Sequence, residues 1–389
     1  MTPAARLQTA SELLDVILAG EPAEKVLTGW ARASRFAGSK DRAAVRDHVY
    51  EALRRKRSLA LRGGAMTGRG LMIGLLRQDG ADVDALFTGK PYAPAPLSDA
   101  ERSSGQEPEE QGDKLDLPDW LIPELRDSLG DALSANAEIM KARAPVVLRA
   151  NLRKADRAMV RDLLAEEGIE TCDHPLSTSA IEVREGGNKV ARCHAYLDGL
   201  VEIQDASSQA AVDTLPLKSN LKVLDYCAGG GGKLLAIGGR VEGHFFAHDV
   251  DRRRMADLPA RANRAGLRVR ILDKAEIGQQ APFDLVFCDV PCSGSGTWRR
   301  TPDAKWRFTP ERLAELNRIQ DQILREAEAL VAPGGTLAYA TCSLLKAENQ
   351  GRIDAFLAEF PDWQLTHVES WELTSGGDGF YTAHLTRLR

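Results

Sequence analysis

The sequence predicts an α/β protein: a parallel sheet with helices on both faces, preceded by a small α+β unit and an all-α N-terminal domain. Three observations predict it. From Leu221 onward, strand-like runs (LKVLDY, GHFFAHD, VRILD, FDLVFCD, TLAYATC) alternate with helical stretches, the pattern of a parallel sheet. Between Thr9 and Ala60 the apolar residues recur at helical spacing. Between these regions, residues 91–117 are rich in Pro, Ser and acids and poor in large apolar side chains, which predicts a linker.

The helical domain is expected over 1–90, on the spacing of Leu13, Leu14, Ile17 and Leu18, then Val26, Leu27 and Trp30, then Val45, Val49 and Leu53. Within it, Ala31 to Arg62 carries ten basic residues (Arg32, Arg35, Lys40, Arg42, Arg46, Arg54, Arg55, Lys56, Arg57, Arg62) against Asp41, Asp47 and Glu51. That window is strongly basic in a chain whose formal net charge is -5. It reads either as a solvated helical face or as a surface for phosphate. The α+β unit is expected over 118–205: a helical piece near Trp120, a strand Val146–Arg149, a helix carrying Met159, Leu163 and Leu164, and strands around Ile181–Val183 and Leu200–Ile203.

The third domain, 206–389, holds the alternating strands with helices from Asp251 to Ala265 and Glu311 to Val331. No stretch approaches the roughly 20 apolar residues of a membrane span. The start, MTPAARLQTASELLD, lacks the basic and apolar regions of a signal peptide, so a cytoplasmic monomer with reduced thiols is expected. The six cysteines include no CxxC pair and no zinc-type Cys/His spacing, so no metal is expected.

Asp225-Tyr-Cys-Ala-Gly-Gly-Gly-Gly-Lys233 joins the first strand of this sheet to a helix, and its glycines let backbone pass close to a ligand. A P-loop needs Gly six residues before the Lys and Ser or Thr after it, but Cys227 and Leu234 stand there. A dinucleotide fingerprint fails at Leu234 or Leu235, according to register. An S-adenosylmethionine loop asks only for a glycine-rich turn and fits best. Cys227, Ala228, Gly229, Gly230, Gly231, Gly232 and Lys233 are then cofactor candidates. Asp249 stands about 20 residues on, where an acid meets ribose hydroxyls, and Asp273 follows as a candidate for the adenine amino group. A lone strand-end Asp is also a common helix cap, but Asp249, Asp273 and Asp289 end successive strands beside one loop.

Cys292, in Asp289-Val-Pro-Cys-Ser-Gly-Ser-Gly296, and Cys342, in TLAYATC, follow strands expected to be neighbours, which brings both thiols to one cleft. Methyl transfer to C5 of a pyrimidine gives them a purpose, because C5 becomes nucleophilic only after a thiolate adds at C6. Asp289 is then placed to bond the N3 and amino edge of cytosine. A base inside a duplex cannot reach such a pocket, so the substrate is unpaired or flipped.

DVPCSGSG, Trp298-Arg-Arg-Thr-Pro-Asp-Ala-Lys-Trp306, YATCS with Glu348-Asn349, and DYCAGGGGK together resemble the RsmB/NOP family of RNA cytosine-C5 methyltransferases, in its bacterial ribosomal RNA form. The similarity extends to Glu202-Ile-Gln-Asp-Ala-Ser-Ser208 and Gly377-Asp-Gly-Phe380, covering roughly Pro118 to the C-terminus. The resemblance implies a class I Rossmann-like methyltransferase domain that uses S-adenosylmethionine on ribosomal RNA. It implies Cys342 as nucleophile, Cys292 as the residue assisting product release, an RRM-like middle unit and, more weakly, a NusB-like RNA-binding N-terminal domain. By the same resemblance, the basic window faces phosphate. The chain departs from the family where Gly229-Gly-Gly-Gly-Lys233 replaces the usual Ala-Pro-Gly-Gly-Lys, and where Lys346 follows TCS in place of a frequent proline.

The leading reading is C5 methylation of cytosine in 16S ribosomal RNA, with 23S ribosomal RNA or tRNA as alternative substrates. A non-catalytic RNA-binding assembly factor competes, but it has no need of two thiols in one cleft. Methylation of exocyclic amines competes too, but it calls for an Asn or Asp with Pro-Pro and an aromatic residue, where this chain has Pro-Cys.

Overall fold

The computed structural model describes residues 1–388 and divides into two compact units. One joins Met1–Arg143 with Trp298–Phe308, and the other joins Ala144–Thr297 with Thr309 to the end of the chain.

The first unit is helical: Pro3–Leu18, Ala23–Ala33, Ser39–Arg54, Lys56–Gly63 and Gly68–Gln78 enclose Leu14, Val49, Leu59, Leu71 and Met72. The last two helices pack backbone to backbone. A Cβ on Gly63 would lie 1.8 Å from the Gly70 carbonyl oxygen, so only glycine fits there.

Residues 91–117 differ from the expected linker. They carry short helices, Asp99–Ser103 and Gln111–Leu115, and their acids pair with arginines of the helical core: Arg69 with Glu101 at 2.6 Å, Arg62 with Glu107 at 2.7 Å, Arg57 with Asp113 at 2.6 Å. Asp116 is fully buried and accepts from the Ser58 backbone N–H at 2.9 Å and hydroxyl at 2.7 Å. A composition that suits disorder in isolation is here a set of counter-ions. The first unit then continues through the helices Leu121–Leu129 and Leu133–Met140.

Trp298–Phe308, expected within the 206–389 domain, also belongs to the helical unit. Phe308 packs between Trp120 and Trp298, with ring centroids 5.6 and 5.9 Å away. Lys305 is buried and donates to the Arg54 carbonyl at 3.2 Å. Burial pulls its ammonium down to about 7.

The second unit contains two sheets. Strands β1 (Val146–Ala150), β2 (Thr171–Asp173), β3 (Ala180–Val183) and β4 (Val201–Ile203) form an antiparallel sheet in the order β2-β3-β1-β4. The larger sheet is built from β5 (Leu221–Asp225), β6 (Gly243–Ala247), β7 (Val269–Ile271), β8 (Phe283–Asp289), β9 (Val331–Thr341), β10 (Trp363–Trp371) and β11 (Phe380–Arg387). Its order is β10-β11-β9-β8-β5-β6-β7.

The five strands from β9 to β7 are parallel, as expected, and β11 and β10 extend one edge antiparallel. One apolar cluster, including Leu234, Leu258 and Phe287, and a second, including Leu224, Val286 and Tyr339, fill the space against the helices. The helix expected from Asp251 to Ala265 is a 3-10 turn, Arg252–Met255, followed by Leu258–Ala265 with a proline in its first turn. Proline has no N–H to continue a helix, so it starts a new one. No helix among the described residues is long and apolar enough to cross a membrane.

Candidate active site

The carboxyl ends of the parallel strands collect the candidate residues, because register places Asp225 opposite Ala247 and Phe287, and Asp289 opposite Ala340. From Asp225 the chain turns through Cys227 and Ala228 into the glycines, and Gly232 opens the helix Gly232–Gly238. Gly229 (φ 49) and Gly231 (φ 73) lie in the left-handed region that glycine enters without cost. A Cβ on Gly231 would meet Leu258 at 2.3 Å. Three side chains pin the loop. Asp249 accepts from the Gly229 N–H at 2.9 Å, Arg261 donates to the Gly230 carbonyl at 2.5 Å, and buried Arg149 donates to the Gly232 carbonyl at 2.6 Å.

The strand-end acids have separate surroundings. Asp249 is buried, takes the Asp251 N–H at 2.9 Å on its other oxygen, and pairs with Arg254 at 3.1 Å. Asp289 pairs with Lys233 at 2.6 Å. Burial alone would lower the Lys233 pKa, but the Asp289 charge and hydrogen bond raise it above the ordinary value. Asp273 stands apart: its side chain is 59% exposed, pairs with Arg252 at 2.6 Å, and caps the helix Lys274–Gln280 in a box with Glu276. An open pocket of about 490 Å³ next to the loop is lined by Tyr226, Cys227, His248, Asp249, Arg254 and Lys274, among others.

Asp225 itself is a site residue that sequence patterns alone do not single out. It is 1% exposed, and its Oδ1 has no hydrogen-bond partner among the described residues. Burial, with the nearby Asp289 charge, pushes its carboxyl up to about 8. The signal that could have found it is the one that marks the other three, an acid closing a strand.

Cys292 and Cys342 come together as expected, with sulfurs 3.5 Å apart. The hydrogen bond to Cys342, together with burial, holds the Cys292 thiol well above its ordinary pKa. The loops carrying the two cysteines meet at Glu348, which is fully buried. Its Oε1 accepts from the Ser293 N–H at 2.8 Å and the Gln320 amide at 3.1 Å, and its Oε2 accepts from the Ser293 and Ser343 hydroxyls. In the sequence Glu348 stands out only as part of a motif, with no role attached. Cys227 and Cys288 have thiols raised by burial, as in structural cysteines.

In the helical unit, the basic window divides. Arg54 is buried and donates to the Arg299 carbonyl at 2.8 Å, Arg55 pairs with Glu51, Lys56 lies 4.3 Å over the Trp306 ring, and Arg57 and Arg62 serve the acids of 91–117. These residues are committed internally, which corrects the expectation that the whole window faces phosphate. Arg32, Arg35, Lys40 and Arg46 stand exposed with no ion-pair partner among the described residues, beside Phe36 at 75% exposure.

Residues 212–386 match the family described as 16S rRNA methyltransferase RsmB/F, and residues 117–189 match the RsmF/B-like ferredoxin-like domain. The chain belongs to the RsmB/F methyltransferase family. Among relatives, it is 36% identical over 256 residues to the "Probable ribosomal RNA small subunit methyltransferase B" of Bacillus subtilis, covering 64% of this chain and 57% of that protein. It is 32% identical over 295 residues to the ribosomal RNA small subunit methyltransferase B of Klebsiella pneumoniae, covering 70% of this chain and 66% of that one. The match therefore spans less than two thirds of these curated relatives. Two solved structures share the fold. PH0851 has a TM-score of 0.76 at 21% identity, covering 100% of this chain and 99% of that one. A methyltransferase homolog from Pyrococcus horikoshii has a TM-score of 0.61 at 24% identity, covering 71% and 97%. The family's methyltransferase match takes in the glycine loop, the strand-end acids and both cysteines of the cleft.

Proposed function

We propose that the protein methylates C5 of a cytosine in ribosomal RNA, 16S in the first instance, with S-adenosylmethionine as methyl donor. The observation that carries this reading is the pair of thiols 3.5 Å apart, beyond adjacent strand ends and beside a glycine loop. Membership of an RNA methyltransferase family supports it.

The residues present fit such a cofactor. Asp225 keeps a buried oxygen without a partner among the described residues, and the chain turns through Gly229 and Gly231 at positive φ. Cys227 to Lys233, Asp249 and Asp289 would hold it, Asp273 would join them only by leaving Arg252, and when bound the cofactor supplies an electrophilic methyl group. The protein's part is to make C5 reactive. Cys342 adds through sulfur at C6, forming an Sγ–C6 bond and leaving C5 enamine-like. Asp289 accepts from the amino group of the ring, and the Lys233 ammonium paired with it offsets the negative charge that addition pushes toward N3. After methyl transfer the C5 proton leaves to a base, the Sγ–C6 bond breaks, and its electron pair returns to Cys342. Cys292, whose sulfur lies 3.5 Å from that of Cys342, is placed to assist that release.

The test separates the two thiols. Cys342→Ala should abolish methylation of RNA. Cys292→Ala should form the adduct but retain it, seen on a denaturing gel with labelled RNA as a shifted, heat-stable band. The reverse pattern would exchange the roles, and no band from either variant with activity intact would remove the covalent mechanism. Mass spectrometry of ribosomal RNA nucleosides from cells with and without the gene tests the substrate. An unchanged 5-methylcytidine map would overturn it.

A further inference from the structure

Among the described residues Glu348 makes no hydrogen bond to either sulfur, yet it is bonded to the chain beside each. Ser293, which follows Cys292, gives it both a backbone N–H and a hydroxyl, and Ser343, which follows Cys342, gives it a hydroxyl. Gln320 donates to the same carboxylate and to the carbonyl of Pro291, the residue before Cys292. Asn349 completes the other side by donating to the Ser343 carbonyl at 2.8 Å and accepting from the Thr341 hydroxyl. The residues on both sides of each cysteine are therefore fixed to one short segment, Glu348-Asn349, and to Gln320.

A carboxylate is the side chain that can do this. Ionised, it only accepts, and it has lone pairs for all four donors. A buried charge is tolerated when it is hydrogen-bonded in this way. The Tyr339 hydroxyl fixes the segment in turn by donating to the Glu348 carbonyl at 2.6 Å.

We infer that Glu348 is the positioning residue of the cysteine pair: it locks the loop after β8 to the loop after β9, and so keeps the two sulfurs in reacting register. The inference rests on the reading of Cys292 and Cys342 as the reacting pair. A glutamate that merely filled the core would have no reason to gather its donors from the residues flanking the two cysteines.

The experiment reads the register directly, without RNA. Diamide oxidises two adjacent thiols to a disulfide and is itself reduced to the hydrazine, so the rate of Cys292–Cys342 disulfide formation, followed by mass spectrometry of the peptides, reports how well the sulfurs are held together. Glu348→Gln should slow that rate by roughly 10- to 100-fold, the cost of about an ångström of misplacement. Ser343→Ala removes one donor of four and should slow it less, which keeps the test open if the first variant does not fold. S-adenosylmethionine affinity, read by calorimetry, should stay within about twofold for both, because additivity holds for sites that share no partner. Wild-type disulfide rates in both variants would overturn the inference. Slowed disulfide formation in a protein whose wild type methylates no RNA would keep the positioning role and remove the proposed function.

Discussion

The two sides of the cleft are built differently. On the cysteine side every acceptor of Glu348 is used, and the loops bearing the thiols are hydrogen-bonded to it before any substrate arrives. On the cofactor side, a buried carboxyl oxygen of Asp225 has no partner among the described residues, and Arg254 lies across Asp249 from a partly exposed position. Groups that must hold reacting atoms are best fixed in advance, whereas groups that bind a ligand must have capacity left for it. The same division runs through the helical unit. Arg54, Arg57 and Arg62 are spent on internal partners, while Arg32, Arg35, Lys40 and Arg46 are open. An open group among satisfied ones marks where a partner is expected.

The sharpest break in this comparison would come at Asp225. Its folded value of about 8 lies above the ordinary 3.8, so the native state holds a proton that the unfolded chain releases. The stability this contributes is full below about pH 4 and is lost as pH rises through about 8. Wild-type Tm should therefore fall by several degrees more than that of Asp225→Asn between pH 5 and pH 8.5, since about 1 kcal/mol moves a domain of this size by roughly 2–4 °C. Parallel curves for the two proteins would mean that the carboxyl is already ionised and partnered.

At Asp249 the expected effect is smaller and falls on the ligand. Asp249→Ala should weaken S-adenosylmethionine binding by about 1.5–3 kcal/mol, the range for a hydrogen bond to a charged group. Calorimetry checks it, and unchanged affinity would move the ribose elsewhere.

The smallest effect belongs to the helical unit. Replacing Arg32, Arg35, Lys40 and Arg46 by Gln should lower the salt dependence of RNA binding, by a slope of about 0.7 for each single-stranded phosphate that is no longer neutralised. Arg57→Ala should leave that slope alone and lower Tm, because it strips the partner from Asp113 and Asp119. If Arg57→Ala moved the slope and the fourfold variant did not, the division of the window would be wrong.

The sequence by itself determined the parallel sheet, the glycine loop and the meeting of Cys292 with Cys342. These follow from local patterns, because strand alternation sets the sheet and each reactive residue sits at a strand end that the pattern marks. The last two strands were not legible, since β10 alternates buried Trp363 with more exposed residues at the edge of the sheet and carries no motif. Nor was the role of 91–117, whose acids look like solvent-facing charge until Arg57, Arg62 and Arg69 are found beside them. Only the tertiary structure decided which charges are spent and which are open. Glu348 and Ser293 are 55 residues apart, and Arg57 and Asp113 are 56 apart. A hydrogen bond acts over about 3 Å, so whether a group has a partner is settled by folding and not by its neighbours along the chain.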